Sequence, residues 1–124
     1  MTKAATATIR VPFHNVHATE EDVVVTLPST ATELTFTITA RRTRGLRWVR
    51  PYSTASGRMS RVCRTGSQTV ACTFELHTKA VLEPGSYTFA VQLGSSGIAH
   101  DMRMDTFDLT YTSGGLLYEQ TGSF

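Results

Sequence analysis

The chain has one asparagine, Asn15, two lysines and three isoleucines, against ten arginines. Arg has GC-rich codons, and Lys, Asn and Ile have AT-rich ones. The bias points to a high-GC genome, such as that of an actinobacterium or a virus infecting one. No apolar run approaches the ~20 residues of a membrane-spanning helix. The opening MTKAATATIRVPF lacks the ~7–15-residue apolar segment of a signal peptide, which fits a cytoplasmic start or a chain whose signal has been removed. GxSxG, HExxH, glycine-rich phosphate loops and CxxC are all missing. Nothing places a nucleophile beside a base, so the expectation is a protein that is not an enzyme, with no catalytic residue and no cofactor.

Metal ligands are also sparse. His14 and His17 stand three apart, and His100-Asp101 could add donors, but two imidazoles in a loop do not make a site without third and fourth ligands. Asp101, Asp105 and Asp108 lack the spacing of a calcium loop. The expectation is no metal. Only two cysteines are present, Cys63 and Cys72, flanking RTGSQTVA. In a secreted or virion protein such a pair reads as a disulfide; in a reducing cell it reads as two buried thiols.

What is abundant is period-two alternation, and no segment shows useful helical periodicity. Ala7, Ile9, Val11 and Phe13 alternate with polar residues, and Pro12 marks an edge strand. Asp22–Leu27 follows, then Leu34, Phe36, Ile38 and Ala40 separated by threonines. Leu46 and Trp48 share one face of a strand that Pro51 should end. Arg58–Cys63 and Thr69–Leu76 read as a hairpin in which residues 63 and 72 oppose each other, at a cross-strand spacing of about 4.5–5.5 Å that suits a disulfide. Tyr87–Leu93 is another strand, Gly94–Gly97 a turn, and Met102–Tyr111 a long strand whose phase slips near Asp105-Thr106, predicting a bulge. Seven or eight such strands indicate an all-β antiparallel sandwich with Leu34, Phe36, Ile38, Trp48, Phe74, Phe89, Val91 and Leu109 in its core. The sandwich is expected to span residues 1–112, with 113–124 a C-terminal arm after a Gly114-Gly115 hinge.

Charge is unevenly spread. Of twelve basic residues, Arg41, Arg42, Arg44, Arg47, Arg50, Arg58, Arg61 and Arg64 fall in one 24-residue stretch without an acid, and the formal net charge of +2 conceals this. Trp48 and Tyr52 lie among them, a mixture suited to stacking on bases or sugar rings. Binding to an anionic surface is expected: an acidic protein face, an acidic glycan or nucleic acid. Nucleic acid is disfavoured because such proteins are usually more basic overall. The alternative is a solvated edge whose arginines pair with acids elsewhere in the chain. In the tail, Leu116, Leu117, Tyr118 and Phe124 supply apolar surface; they belong either to a docking arm or to a last strand folded back on its own sandwich.

The segment Leu82-Glu83-Pro84-Gly85-Ser86-Tyr87 resembles the corner entering the penultimate strand of immunoglobulin-like and fibronectin type III domains. That resemblance implies an immunoglobulin-like sandwich in which the Tyr87 hydroxyl bonds back to nearby backbone. From Cys63 to Leu93, the run Thr69-Val70-Ala71-Cys72-Thr73 followed by Leu82-Glu83-Pro84-Gly85 is also similar to the Cys-containing conserved repeat domain of bacterial surface proteins. It departs from that pattern in a longer spacer, 74–81, and the Arg stretch has no counterpart there.

These features together point to a structural or binding subunit that decorates or cements a larger assembly, such as a bacteriophage virion, as a homo-oligomer or with other partners. In that reading it docks on an acidic surface through Arg41, Arg42, Arg44, Arg47, Trp48, Arg50, Arg58, Arg61 and Arg64, and through Leu116, Leu117, Tyr118 and Phe124. The first alternative is a secreted bacterial cell-surface module used for adhesion or as a stalk, and the second is a polyanion-binding domain. The expected location is virion or extracellular.

Overall fold

A computed structural model describes residues 4–124; the first three residues of the expected 1–112 domain lie outside the described residues. Among the described residues there are nine strands and one 3₁₀ turn: β1 (Thr6–Arg10), β2 (Ala18–Leu27), β3 (Glu33–Arg41), β4 (Leu46–Ser53), the turn Ser56–Arg58, β5 (Met59–Thr65), β6 (Thr69–Leu76), β7 (Gly85–Ser95), β8 (Thr106–Ser113) and β9 (Leu116–Ser123). They form two antiparallel sheets, a four-stranded one ordered β1-β2-β7-β4 and a five-stranded one ordered β5-β6-β3-β8-β9. Among the described residues, no helix is long and apolar enough to cross a membrane.

β3 shows why the sheets face each other. Leu34, Phe36, Ile38 and Ala40 are buried, and the threonines between them are half-buried on the outer face. Phe36 stacks on Phe89 of the opposing sheet at 4.6 Å and on Phe107 of β8 at 5.7 Å, while Phe74 meets Phe89 edge-on at 5.4 Å. Each such pair adds about 0.5–1.5 kcal/mol beyond simple burial, so this aromatic cluster fixes how the layers register. The β5–β6 hairpin has the expected register, Cys63 opposite Cys72, and the two are joined by a disulfide. The Tyr87 hydroxyl donates to the Glu83 carbonyl at 2.7 Å.

Several expectations need correction. Pro51 does not end β4, which continues to Ser53; β4 is an edge strand paired only with β7, so no second neighbour asks for the missing N–H. Trp48 is not in the core but 40% exposed on the outer face. The bulge foreseen near Asp105 is absent: Met102–Asp105 is a turn closed by Asp105 N–H donating to the Met102 carbonyl, and β8 starts at Thr106. The register shift lies instead in β4, between Leu46 and Trp48.

The tail is a strand, as the fold-back alternative has it. Gly114 and Gly115 both have positive φ, +58° and +78°, and make a two-residue turn of the kind that suits a hairpin. β9 then pairs with β8 along its whole length. Tyr118 stacks on Tyr111 at 4.8 Å, and Phe124 packs edge-on against Phe107 at 6.1 Å. With β9 counted, Tyr87 enters the third strand from the end rather than the penultimate one.

Candidate functional site

The Arg stretch follows the chain across the open side of the sandwich. β4 is the edge of the smaller sheet and β5 the edge of the larger, and these edges lie against one another. All eight arginines are exposed. Arg41, Arg42 and Arg44 sit at one end, where β3 leaves its sheet, and Arg58 sits at the other, in the 3₁₀ turn. Arg47 occupies the bulge between the Leu46–Ser95 and Trp48–Gly94 pairs, a place where an extra residue re-aims its side chain. Arg61 opposes Phe74 and so has the inward phase of β5 at the seam, whereas Arg64 has the outward phase. The result is a basic edge wrapping both sheets.

Two of these arginines are tied to backbone. Arg42 Nη1 donates to the Gly66 carbonyl at 2.9 Å, and Arg58 Nη1 to the Val81 carbonyl at 3.0 Å. Among the described residues the ion pairs are His100–Asp105 and Arg103–Asp101, so none of the eight has a carboxylate within 4.0 Å. The edge is therefore not neutralised from within. A cleft between β4 and the β5–β6 hairpin is lined by Arg42, Arg47, Trp48, Val49, Cys63 and Val70, among others. Beside it, Trp48, Arg50 and Tyr52 alternate along the outer face of β4. The Trp48 indole lies over Gly94, and the Arg50 guanidinium carbon is 4.8 Å from the ring centroid. Tyr52 is 54% exposed.

The Leu116-Leu117 tip of the tail does not join this surface. β5 and β9 are opposite edges of the same five-stranded sheet, four strand spacings or roughly 19 Å apart. Tyr118 and Phe124 are engaged with their own sandwich, while Leu116 and Leu117, 53% and 65% exposed, form the tip of the β8–β9 hairpin. The hairpin tip is hence separate from the arginine edge, whereas Phe124 ends beside Arg41: its N–H donates to the Asp105 carbonyl and that of Arg41 to Asp105 Oδ1.

A second constellation was not foreseen. Glu21 on β2 and His100 and Asp105 from the β7–β8 connection are all buried, with one donor atom from each lying within 4.8 Å of the others. His100 Nε2 is 2.5 Å from Asp105 Oδ2, and its Nδ1 is 2.8 Å from the Thr43 hydroxyl. The Arg41 N–H donates to Asp105 Oδ1 at 2.7 Å. Burial, and then the adjacent Asp105 carboxyl, push Glu21 up to about 10. Burial alone would raise Asp105 too, but His100, Glu21 and the Arg41 amide outweigh it and hold Asp105 below its ordinary value. Hydroxyl, imidazole and carboxylate in series resemble a nucleophile relay. The imidazole is only 1% exposed, however.

The other histidines and acids considered for metal go elsewhere. His14 Nε2 contacts the His100 carbonyl at 2.7 Å, Asp101 chelates the Arg103 guanidinium, and Asp108 is exposed on β8. On the outer face of the smaller sheet, Asp22 is raised to about 7 by burial and by the Glu20 carboxyl, with Arg10 opposing the shift.

No protein-family model and no curated protein matches the chain. Among solved structures it is similar to the solution structure of the chitin-binding domain of a hyperthermophilic chitinase from Pyrococcus furiosus, at 13% identity and a TM-score of 0.47, over 95% of each chain. A likeness this distant transfers neither fold family nor ligand.

Proposed function

We propose that the protein is a non-catalytic binding module that docks on an anionic surface, foremost an acidic protein face in a larger assembly such as a virion, through its arginine edge. The observation that carries this reading is the set of eight exposed arginines gathered on one side with no carboxylate partner among the described residues. An uncompensated basic edge costs self-repulsion and earns its place by steering and registering a partner of opposite sign. Trp48 and Tyr52 add ring surface beside the charges. The disulfide favours a second setting for the same edge, a secreted cell-surface module, since such bonds persist in oxidising compartments.

The scaffold we propose is immunoglobulin-like. With the β5–β6 hairpin set aside, the remaining strands are ordered β1-β2-β7-β4 and β3-β8-β9. Lettered A to G along the chain, these are the ABED and CFG sheets of that fold. The disulfide departs from the pattern, because it lies within the inserted hairpin instead of joining the sheets.

A charge-matched comparison on immobilised heparin tests the edge. Replacing Arg47, Arg61 and Arg64 by Gln, or Arg10, Lys79 and Arg103 by Gln, lowers the formal net charge equally, from +2 to −1. The edge variant should elute at distinctly lower salt than the other. Coincident elution means that net charge alone governs binding, and the edge reading fails.

A further inference from the structure

We propose that Glu21, His100 and Asp105 form a buried site for one divalent transition-metal ion of the zinc class, with both Glu21 oxygens completing a set of four donors. One imidazole and two carboxylates are a donor set that suits such ions. The donor atoms lie within 4.8 Å of each other. An ion drawing each to about 2.0–2.2 Å would set them ~3.3 Å apart, which takes side-chain shifts of about 1 Å and replaces the direct His100–Asp105 contact.

Glu21 makes the cluster more than a group of acids. It is 0% exposed, it stands beside Asp105, and neither of its carboxylate oxygens has a hydrogen-bond partner. A buried carboxylate that no donor of the chain satisfies costs several kcal/mol, so either a cation or a proton shared with Asp105 neutralises it. A dication would neutralise the two carboxylates.

The surroundings are those of ligands held from behind. His100 turns its other ring nitrogen to the Thr43 hydroxyl, and Asp105 takes the Arg41 N–H on its far oxygen. Outer contacts of this kind orient metal-binding side chains and set their affinity. Both come from the segment that carries Arg41, Arg42 and Arg44. An ion here would thus clamp that segment, through Asp105 and His100, to β2 in the other sheet.

The test uses the full chain with its disulfide intact. Because the site is buried, metal-free protein is unfolded in denaturant and refolded with a small excess of zinc chloride, then desalted. The expected result is one retained zinc per chain, and X-ray absorption showing a single imidazole among light donors with no sulfur. Glu21→Gln and Asp105→Asn should each weaken zinc at least about tenfold, while a His17→Ala/His77→Ala variant binds like the wild type. No retained zinc would overturn the proposal and leave a proton as what neutralises the cluster. Two or more imidazoles in the wild-type spectrum would also overturn it, placing the metal on surface histidines. So would undiminished affinity in the Glu21 and Asp105 variants. Should either variant fail to fold, the wild-type spectrum decides.

Discussion

Replacing Gly94 by Ala puts a methyl group where the Trp48 indole now lies. An ideal Cβ at Gly94 falls 2.0 Å from Cε2 and 2.1 Å from Nε1 of that ring, so the ring must leave. It can do so, because β4 is an edge strand and Trp48 is 40% exposed. The covered part of the side chain keeps roughly 100–150 Å² from water, worth about 2.5–4 kcal/mol at ~25 cal/mol/Å². The displaced ring re-seats in part, and the Arg50 contact is lost with it, so a net destabilisation of about 1–2 kcal/mol is expected in urea unfolding. Trp48 is the sole tryptophan, so its emission should shift to the red and quench more readily. Gly57→Ala is a control that meets nothing within 4 Å. In a Trp48→Ala background, Gly94→Ala should cost almost nothing, giving a coupling energy close to the whole single-mutant effect. Equal costs in both backgrounds would refute the reasoning and show that Gly94 is needed for its backbone instead.

Tyr87→Phe removes the hydroxyl that donates to Glu83 and should lower stability by about 0.5–1.5 kcal/mol; an unmoved urea midpoint would show that the corner bond does nothing. Reducing Cys63–Cys72, which closes a loop with a sequence separation of 9, should cost roughly 2–3 kcal/mol by loop entropy, read as the difference in urea midpoint with and without reductant. Gly122→Ala drives a methyl into the Phe107 ring, 2.4 Å from Cε2, and should loosen β9, seen as faster amide exchange along 116–123 with β2 unaffected. Leu116→Ser with Leu117→Ser, at the exposed hairpin tip, should change the thermal midpoint by no more than about 0.5 kcal/mol equivalent.

The local pattern was legible wherever one face of a strand meets the core. The alternation of β3 and the register of Cys63 with Cys72 follow from spacing and turn chemistry, which are local, and the Tyr87 bond was implied by the resemblance of Leu82–Tyr87 to the immunoglobulin-like corner. β2 was read four residues short because Glu20 and Glu21 look solvated rather than strand-forming. Thr19 and Glu21 in fact share the inward phase of Val23, and nothing nearby in sequence announces that Glu21 meets His100 and Asp105. Trp48 was misplaced because the bulge at Arg47 breaks the alternation: Leu46 packs on the core, whereas Trp48 falls on the outer face, where a glycine on the neighbouring strand makes room for it. The tail read as an arm because β9 carries little inward apolar alternation, only Tyr118 and Phe124 reaching back to the sandwich. Above all, that β4 and β5 are edges of different sheets on one side depends on strand order, which alternation does not encode.

The most direct test of the arginine edge is dicarbonyl footprinting with peptide mass mapping, on the protein as recovered in its native assembly and on the isolated chain. Docking through the edge requires Arg47, Arg50, Arg61 and Arg64 to be protected in the assembly and reactive in the isolated chain, with Arg103 on a different connection reactive in both. Equal reactivity of all four in the two states, or protection confined to the Leu116-Leu117 hairpin tip in a parallel surface-labelling map, would contradict it.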